Sequence, residues 1–424
     1  MAIYNLPPPH ERLNVFFGDL FKEMRTAPPE AYGAFLVRAE EEFKRVGYRD
    51  KATGVENILI IRLDAIGDMI LTSGFIREVR KNFPKARITL VVQPRVYSVV
   101  ELCPYVNEVL TFDAFNSVKS YVELLERIAL FCRDNLWRKR FSIAFSPRWH
   151  YDTLSTLLLL WLSGARERIG YGSNPLVESA QVDATDNFLL TKVIRLPQTD
   201  ICDAKKNFYL LEAAGLKVNE THMELFYDAE DFRYAKELLE NIPPSCKKVM
   251  LGIGAQEPCK RYPVEKYLIA LRELAKKDLV FVIVGGQTDF EAATFIEQNM
   301  PRGKVLNLAG KTTLRQCEAL AAQTDFYLGN DTGNMHMAAA EQIPVLVLYR
   351  EAADSKDYLP NGLSGFCRFP PYQTKAVVLR PDRRLGDCAQ LPPIYGGCHH
   401  REPHCITQIT PQEIIAAFEK LEEL

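Results

Sequence analysis

A chain of 424 residues with a formal net charge of −2 is too long for one small domain and comfortable for two. Its composition, 47% hydrophobic and 25% charged, is that of an ordinary folded protein, and so small a net charge gives no electrostatic basis for nucleic acid as a main partner. The first residues lack the basic start, apolar core and small-residue cleavage site of a signal peptide. The most apolar run, Leu154–Leu162, is about half the length that a membrane span needs. A cytoplasmic protein is the expectation, with room for peripheral contact at the inner membrane.

Residues 1–54 predict a helical N-terminal extension, because Leu13, Phe16, Phe17, Leu20 and Phe21 recur at helical spacing between Pro7-Pro8-Pro9 and Pro28-Pro29. From Asn57 the period changes. Asn57–Arg62 reads as a buried strand, residues 63–68 as a loop, 69–81 as one helix and Arg87–Val92 as the next strand. Strand character returns over 108–112 and 141–145 around a helix near 117–138, and Ala204–Ala214 reads as the helix that closes this half. A second series follows Pro243-Pro244, with strands over 248–253, 280–284, 305–308, 325–328 and 345–349. Strands that alternate with helices predict parallel, doubly wound sheets. The expected division is therefore 1–54 as extension, 55–240 and 241–408 as two Rossmann-like domains, and 409–424 as a terminal helix. Thr410 would cap that helix, with Pro411 at its first position.

Chemistry concentrates in the turns that follow strands. In Gly329-Asn-Asp331-Thr332-Gly333-Asn-Met-His336 a strand, a Gly-rich turn and a helix start aim backbone N–H groups at one spot, which favours a phosphate or pyrophosphate. Asp331 or Thr332 would cap that helix, and His336 would offer a cationic or hydrogen-bonding ring to the same anion. Arg62-Leu-Asp64-Ala-Ile-Gly67-Asp68 places a carboxylate after the first strand, where Gly67 allows close backbone approach. Asp68 is a candidate general base for a hydroxyl; by the plainer reading it only caps a helix. Lys260-Arg-Tyr-Pro263, after the first strand of the second series, reads on its own as a solvated Lys-Arg pair on a loop. Gly285-Gly-Gln-Thr-Asp289-Phe-Glu291 reads on its own as an acidic helix start, which the helix dipole favours, with Asp289 and Glu291 both open as carboxylates for a ligand.

Together Asp331-Thr332-Gly333-x-x-His336, Arg62-x-Asp64-x-x-Gly67-Asp68 and Lys260-x-Tyr262-Pro263 resemble glycosyltransferase family 9, the bacterial heptosyltransferases, over about residues 55–420. Gly164-Ala-Arg-Glu-Arg168-Ile-Gly170 is similar to a further turn of that family. The chain departs from it in the long N-terminal extension and in Tyr262, where tryptophan is usual.

The resemblance implies an α/β GT-B architecture, with two Rossmann-like domains facing a cleft. It also implies an inverting, metal-independent transfer of heptose from ADP-heptose to an inner-core lipopolysaccharide sugar, without a cofactor. By the same resemblance Asp68 is the base, and Lys260, Asp289, Asp331, Thr332, Gly333 and His336 bind the donor. Arg62 and Gly67 stand on the acceptor side or its loop, with Lys119, Arg148 and His150 as further acceptor-side candidates. The last helix would fold back on the first domain. The partners implied are a nucleotide sugar and a glycolipid. The alternatives are a family member with another nucleotide sugar or a protein acceptor, and a non-catalytic sugar-binding protein of the same fold. An oxidoreductase is disfavoured, because Asp64-Ala-Ile-Gly67-Asp68 is not Gly-x-Gly-x-x-Gly.

Of the ten cysteines, Cys388-x9-Cys398-x6-Cys405 lies among His399, His400 and His404. These are soft ligands, but the tight Cys-x-x-Cys pairs of a structural zinc site are missing. Reduced structural cysteines are the expectation, and a metal cluster of Cys388, Cys398 and Cys405 is the alternative.

Overall fold

The computed structural model describes residues 7–50, 54, 56–115, 118–149, 152–172, 188–196, 201–354, 365–390 and 398–424. Among these residues, twelve strands form two six-stranded sheets, and every strand pair between neighbours is parallel. The first sheet holds β1 (Asn57–Arg62), β2 (Arg87–Val92), β3 (Glu108–Thr111), β4 (Ile143–Ser146), β5 (Glu167–Tyr171) and β6 (Lys192–Ile194), in the order β3-β2-β1-β4-β5-β6. The second holds β7 (Lys247–Gly252), β8 (Leu279–Ile283), β9 (Val305–Asn307), β10 (Phe326–Asn330), β11 (Val345–Leu348) and β12 (Ala376–Leu379), in the order β12-β11-β10-β7-β8-β9. This is the two-domain GT-B arrangement. Strands β6 and β12 are short, partly exposed edge strands that hydrophobic pattern does not single out.

The central strands are apolar throughout because both faces are covered. In β1, Ile58 and Ile60 enter one core, while Leu59 and Ile61 point the other way into a second. The same alternation splits β7, with Met250 facing the core that both domains share and Val249 and Leu251 facing the outer side.

The N-terminal extension forms two helices, Pro9–Met24 and Tyr32–Arg45, that close the outer face of the first sheet. Phe17 stacks on Trp137 with ring centroids 5.4 Å apart, and Phe43 meets Trp161 edge-on at 5.9 Å. Glu40 accepts the Trp161 indole N–H at 2.8 Å and pairs with Arg49 at the same distance.

Three expectations need correction. Residues 69–81 are not one helix: the chain runs as Ile66–Ile70 and then Ser73–Asn82, because the backbone is re-aimed at Leu71-Thr72. The helix Ala229–Leu239, expected in the first domain, packs against Leu314–Ala321 of the second. Finally, Pro411–Glu422 lies on its own domain beside Val264–Leu274 and β12, rather than on the first. Phe418 meets Phe326 of β10 there at 5.3 Å, so the apolar face of the last helix is satisfied by the nearest sheet.

Candidate active site

A cleft of about 810 Å³ opens between the carboxyl ends of the two sheets, the place where doubly wound folds bind ligands. Its first-domain lip is Ala65–Asp68 with Arg95, and its second-domain wall includes Lys260, Asp289, Thr332, His336 and Arg350.

Asp68 occupies the first turn of the helix Ile66–Ile70, and its Oδ2 accepts the Ala65 N–H at 3.2 Å. Oδ1 accepts from Arg62 Nη2 at 3.0 Å. The carboxylate therefore does cap its helix, and it also faces the cleft. Burial raises its pKa above the usual carboxylate range, and the nearby Asp64 adds to the rise against the opposing Arg62. Asp64 moves the other way: burial also opposes its charge, but Arg62 and Arg148 outweigh it. Two neighbouring carboxylates are thus pushed apart, and the one on the cleft is the more basic.

Arg62 is 2% exposed and lies between Asp64, at 3.1 Å, and Asp68. It orders the loop and does not line the cleft. Arg148, a candidate for the acceptor side, is turned onto Asp64 at 2.8 Å. Lys119 is exposed and outside the cleft lining, and His150 lies outside the described residues.

Across the cleft, β10 ends in Asn330 and the helix Gly333–Ala340 begins. Thr332 stands at its N-cap position, but neither it nor Asp331 supplies the expected cap, and no side-chain cap bond is made. Asp331 instead accepts from Lys260 Nζ at 3.1 Å. Burial acts against the charge on Lys260, but Asp331 and Glu257 outweigh it and hold the ammonium's pKa above its ordinary value. Asn330, wholly buried, fixes the lysine loop: its side-chain amide donates to Ile253 O at 2.7 Å and accepts from the Tyr267 hydroxyl at 2.9 Å. Tyr262, in the place of the family's tryptophan, is buried and donates to Ile409 O at 2.7 Å.

His336 is 4% exposed, and burial pulls its pKa down to about 4, with Asp331 acting weakly against. Its ring is neutral near pH 7, which removes the cationic role and leaves the hydrogen-bonding one. Nδ1 is buried with no partner, so it has an unspent bond for a ligand.

Two glycines show how closely the lips meet. A Cβ at Gly67 would stand 2.6 Å from His336 Cδ2, and one at Gly333 would stand 2.9 Å from Ile66 Cγ2. The first-domain helix start and the donor-type turn therefore touch across the cleft.

Asp289 accepts the Gly286 N–H at 3.0 Å and faces Arg261 at 3.4 Å. It is 8% exposed and lines the cleft, whereas Glu291 is exposed outside it. A Cβ at Gly254 would meet the Asp289 carboxylate at 2.3 Å.

Sequence reasoning missed Arg350 and the buried pair Asp203–Arg368. Arg350 follows β11 and lines the cleft, so the rule that ligands bind beyond the carboxyl ends of strands would have found it. Asp203 and Arg368 bond at 2.7 Å across 165 positions, and no local motif announces that. The cysteine alternative is also revised. Cys388 and Cys405 come together at His404, each with sulfur 3.5 Å from Nδ1, while Cys398 hydrogen-bonds Cys259.

The sheet order and the cleft at the carboxyl ends of both sheets are those of the GT-B architecture. The sequence profile of glycosyltransferase family 9 (heptosyltransferase) matches residues 159–383. The chain belongs to that family and is a glycosyltransferase. It is similar to lipopolysaccharide heptosyltransferase 2 of Salmonella typhimurium, 25% identical over 86% of this chain and 98% of the relative. The solved E. coli ADP-heptose lipopolysaccharide heptosyltransferase II is 20% identical, with a TM-score of 0.62 over 87% of this chain and all of that one (100%). An E. coli heptosyltransferase solved with ADP-2-deoxy-2-fluoro heptose has a TM-score of 0.59 and 16% identity, over 86% of this chain and 99% of that one.

Proposed function

We propose that this protein moves a heptose, with inversion, from ADP-heptose to an inner-core sugar of lipopolysaccharide on the cytoplasmic side of the inner membrane. The observation that carries the reading is the facing of Asp68 and the Lys260–Asp331–His336 group across one cleft. The kinship with proteins named as lipopolysaccharide heptosyltransferases supports the donor and the acceptor.

In this reaction Asp68 takes the proton from an acceptor hydroxyl as its oxygen bonds to the anomeric carbon. The bond from that carbon to the β-phosphate oxygen breaks, and ADP leaves with the electron pair. A carboxylate whose pKa is raised is the better base, and its bond to Arg62 keeps it aimed. Lys260 and the N–H groups opening Gly333–Ala340 offset the negative charge that grows on the leaving diphosphate. Neutral His336 offers a hydrogen bond to the same group, and Asp289 accepts from the ribose hydroxyls. Among the described residues, no helix is long and apolar enough to cross a membrane. The lipid-linked acceptor would therefore be met by peripheral contact.

ADP release from ADP-heptose, with a heptose-deficient lipopolysaccharide core as acceptor, tests the reading. Acceptor-dependent release is expected. Release with another nucleotide sugar but not with ADP-heptose would overturn the donor, and release without the glycolipid would overturn the acceptor.

A further inference from the structure

Between β12 and the last helix, four side chains converge outside the cleft. Asp387, Cys388, His400 and His404 each bring one ligand-type atom to a point where all lie within 4.8 Å of one another. Their contacts form one connected set. His400 Nε2 is 3.1 Å from Asp387 Oδ1, and His404 Nε2 is 3.9 Å from the same oxygen. The two imidazoles stack with centroids 3.8 Å apart, and His404 Nδ1 is 3.5 Å from Cys388 Sγ. Stacked imidazoles beside a thiol and a carboxylate gain little from one another in water. Around a cation they become a set of nitrogen, sulfur and oxygen donors of the kind that holds zinc.

The surroundings are ordered in the way that supports ligands. The Cys388 N–H donates to Asp387 Oδ1 at 2.9 Å, the Leu385 N–H reaches Cys405 Sγ at 3.4 Å, and Thr407 Oγ1 donates to His404 O at 2.7 Å. We propose that Cys388, His400, His404 and Asp387 bind one divalent transition-metal ion of the zinc class, with the Cys405 thiol beside it as a neighbour. The role is structural, and the ion itself takes no part in the transfer step. The ion would tie Asp387 and Cys388 to His400 and His404. Just after His404, Thr407 accepts from Lys266 and Ile409 accepts from Tyr262. Both donors sit just beyond Lys260, so the ion would brace the loop that carries the donor-side lysine.

Metal content of the full chain, purified under reducing conditions and loaded with zinc, is the test. About one tightly held ion per chain is expected. Cys388→Ser and His404→Ala should each reduce it at least tenfold, and Cys246→Ser, at a cysteine outside the group, should leave it unchanged. The cobalt-substituted protein should show thiolate-to-cobalt charge-transfer absorption that Cys388→Ser abolishes. If either variant fails to fold, the wild-type protein stripped with chelator and retitrated with zinc serves instead. Saturable one-to-one uptake with a reversible rise in melting temperature would support the site. Uptake well below one ion per chain, uptake unaffected by both substitutions, or a cobalt spectrum without a thiolate band would overturn it.

Discussion

At the residue scale the decisive contrast is between Asp64 and Asp68, two carboxylates that share Arg62 and are driven in opposite directions. If Asp68 is the base, Asp68→Asn should lower kcat by roughly 10²–10⁴-fold while ADP binding by calorimetry stays within about a factor of two. An unchanged kcat would reduce Asp68 to a helix cap. In the wild type, kcat/KM should fall as pH drops through the raised Asp68 pKa, since the base is lost on protonation. In the proposed reaction Lys260 stands on the donor side. Lys260→Ala removes a charged hydrogen-bond donor worth about 1.5–3 kcal/mol, so ADP should bind roughly 10- to 100-fold more weakly, read by the same calorimetry. The opposing charge cost matters here too: without the ammonium, Asp331 keeps a nearly buried carboxylate beside the proposed diphosphate site.

At the scale of elements, much was legible because local chemistry and global position agree. The run Asn57–Arg62 is apolar at every central position, as a strand buried on both faces requires, and its turn chemistry named Gly67 and Asp68 directly. Gly67 shows why only part of the site could be read. The sequence says that a backbone comes close; only the fold says that His336 of the other domain is what comes close. The break at Leu71-Thr72 was illegible because it answers to tertiary contacts: Asn207 from another helix donates to Leu71 O at 2.7 Å. Likewise the amphipathic pattern of the N-terminal extension identified a helix face but not its partner. Its partner is the first sheet's outer layer, so Phe17→Ala should cost about 3–5 kcal/mol of stability, as for other large core truncations. Urea unfolding would show it as a shifted midpoint, whereas a Val15→Ala change on the exposed face should leave the midpoint in place.

At the scale of the whole molecule, the two domains are held in register by charge buried just behind the cleft. Asp203 opens a helix of the first domain, and Arg368 reaches it from the second at 2.7 Å, with Lys206 on the same carboxylate at 3.1 Å. Arg368 and Lys206 both lie over the Trp149 ring, so the ion group is walled by an aromatic and shielded from solvent. Burial alone would raise the pKa of Asp203, but Arg368 and Lys206 outweigh it and bring it down to about 2. A folded pKa below the unfolded value of 3.8 means that the native state binds the proton less readily than the unfolded chain. The stabilisation is therefore complete above about pH 4 and is lost as pH falls toward about 2. Asp203→Asn removes the anion and leaves two buried cations facing each other, a change that costs about 3–5 kcal/mol in comparable buried pairs. Urea midpoints of wild type and variant, measured from pH 7 down to pH 3, should differ most at neutral pH and converge as the wild-type carboxylate begins to take up its proton. A gap that stays constant over that range would show that Asp203 acts through shape and not through charge. Because Arg368 also lines the cleft, the same variant should raise the KM for the proposed donor, ADP-heptose, tying the register of the domains to the grip on that ligand.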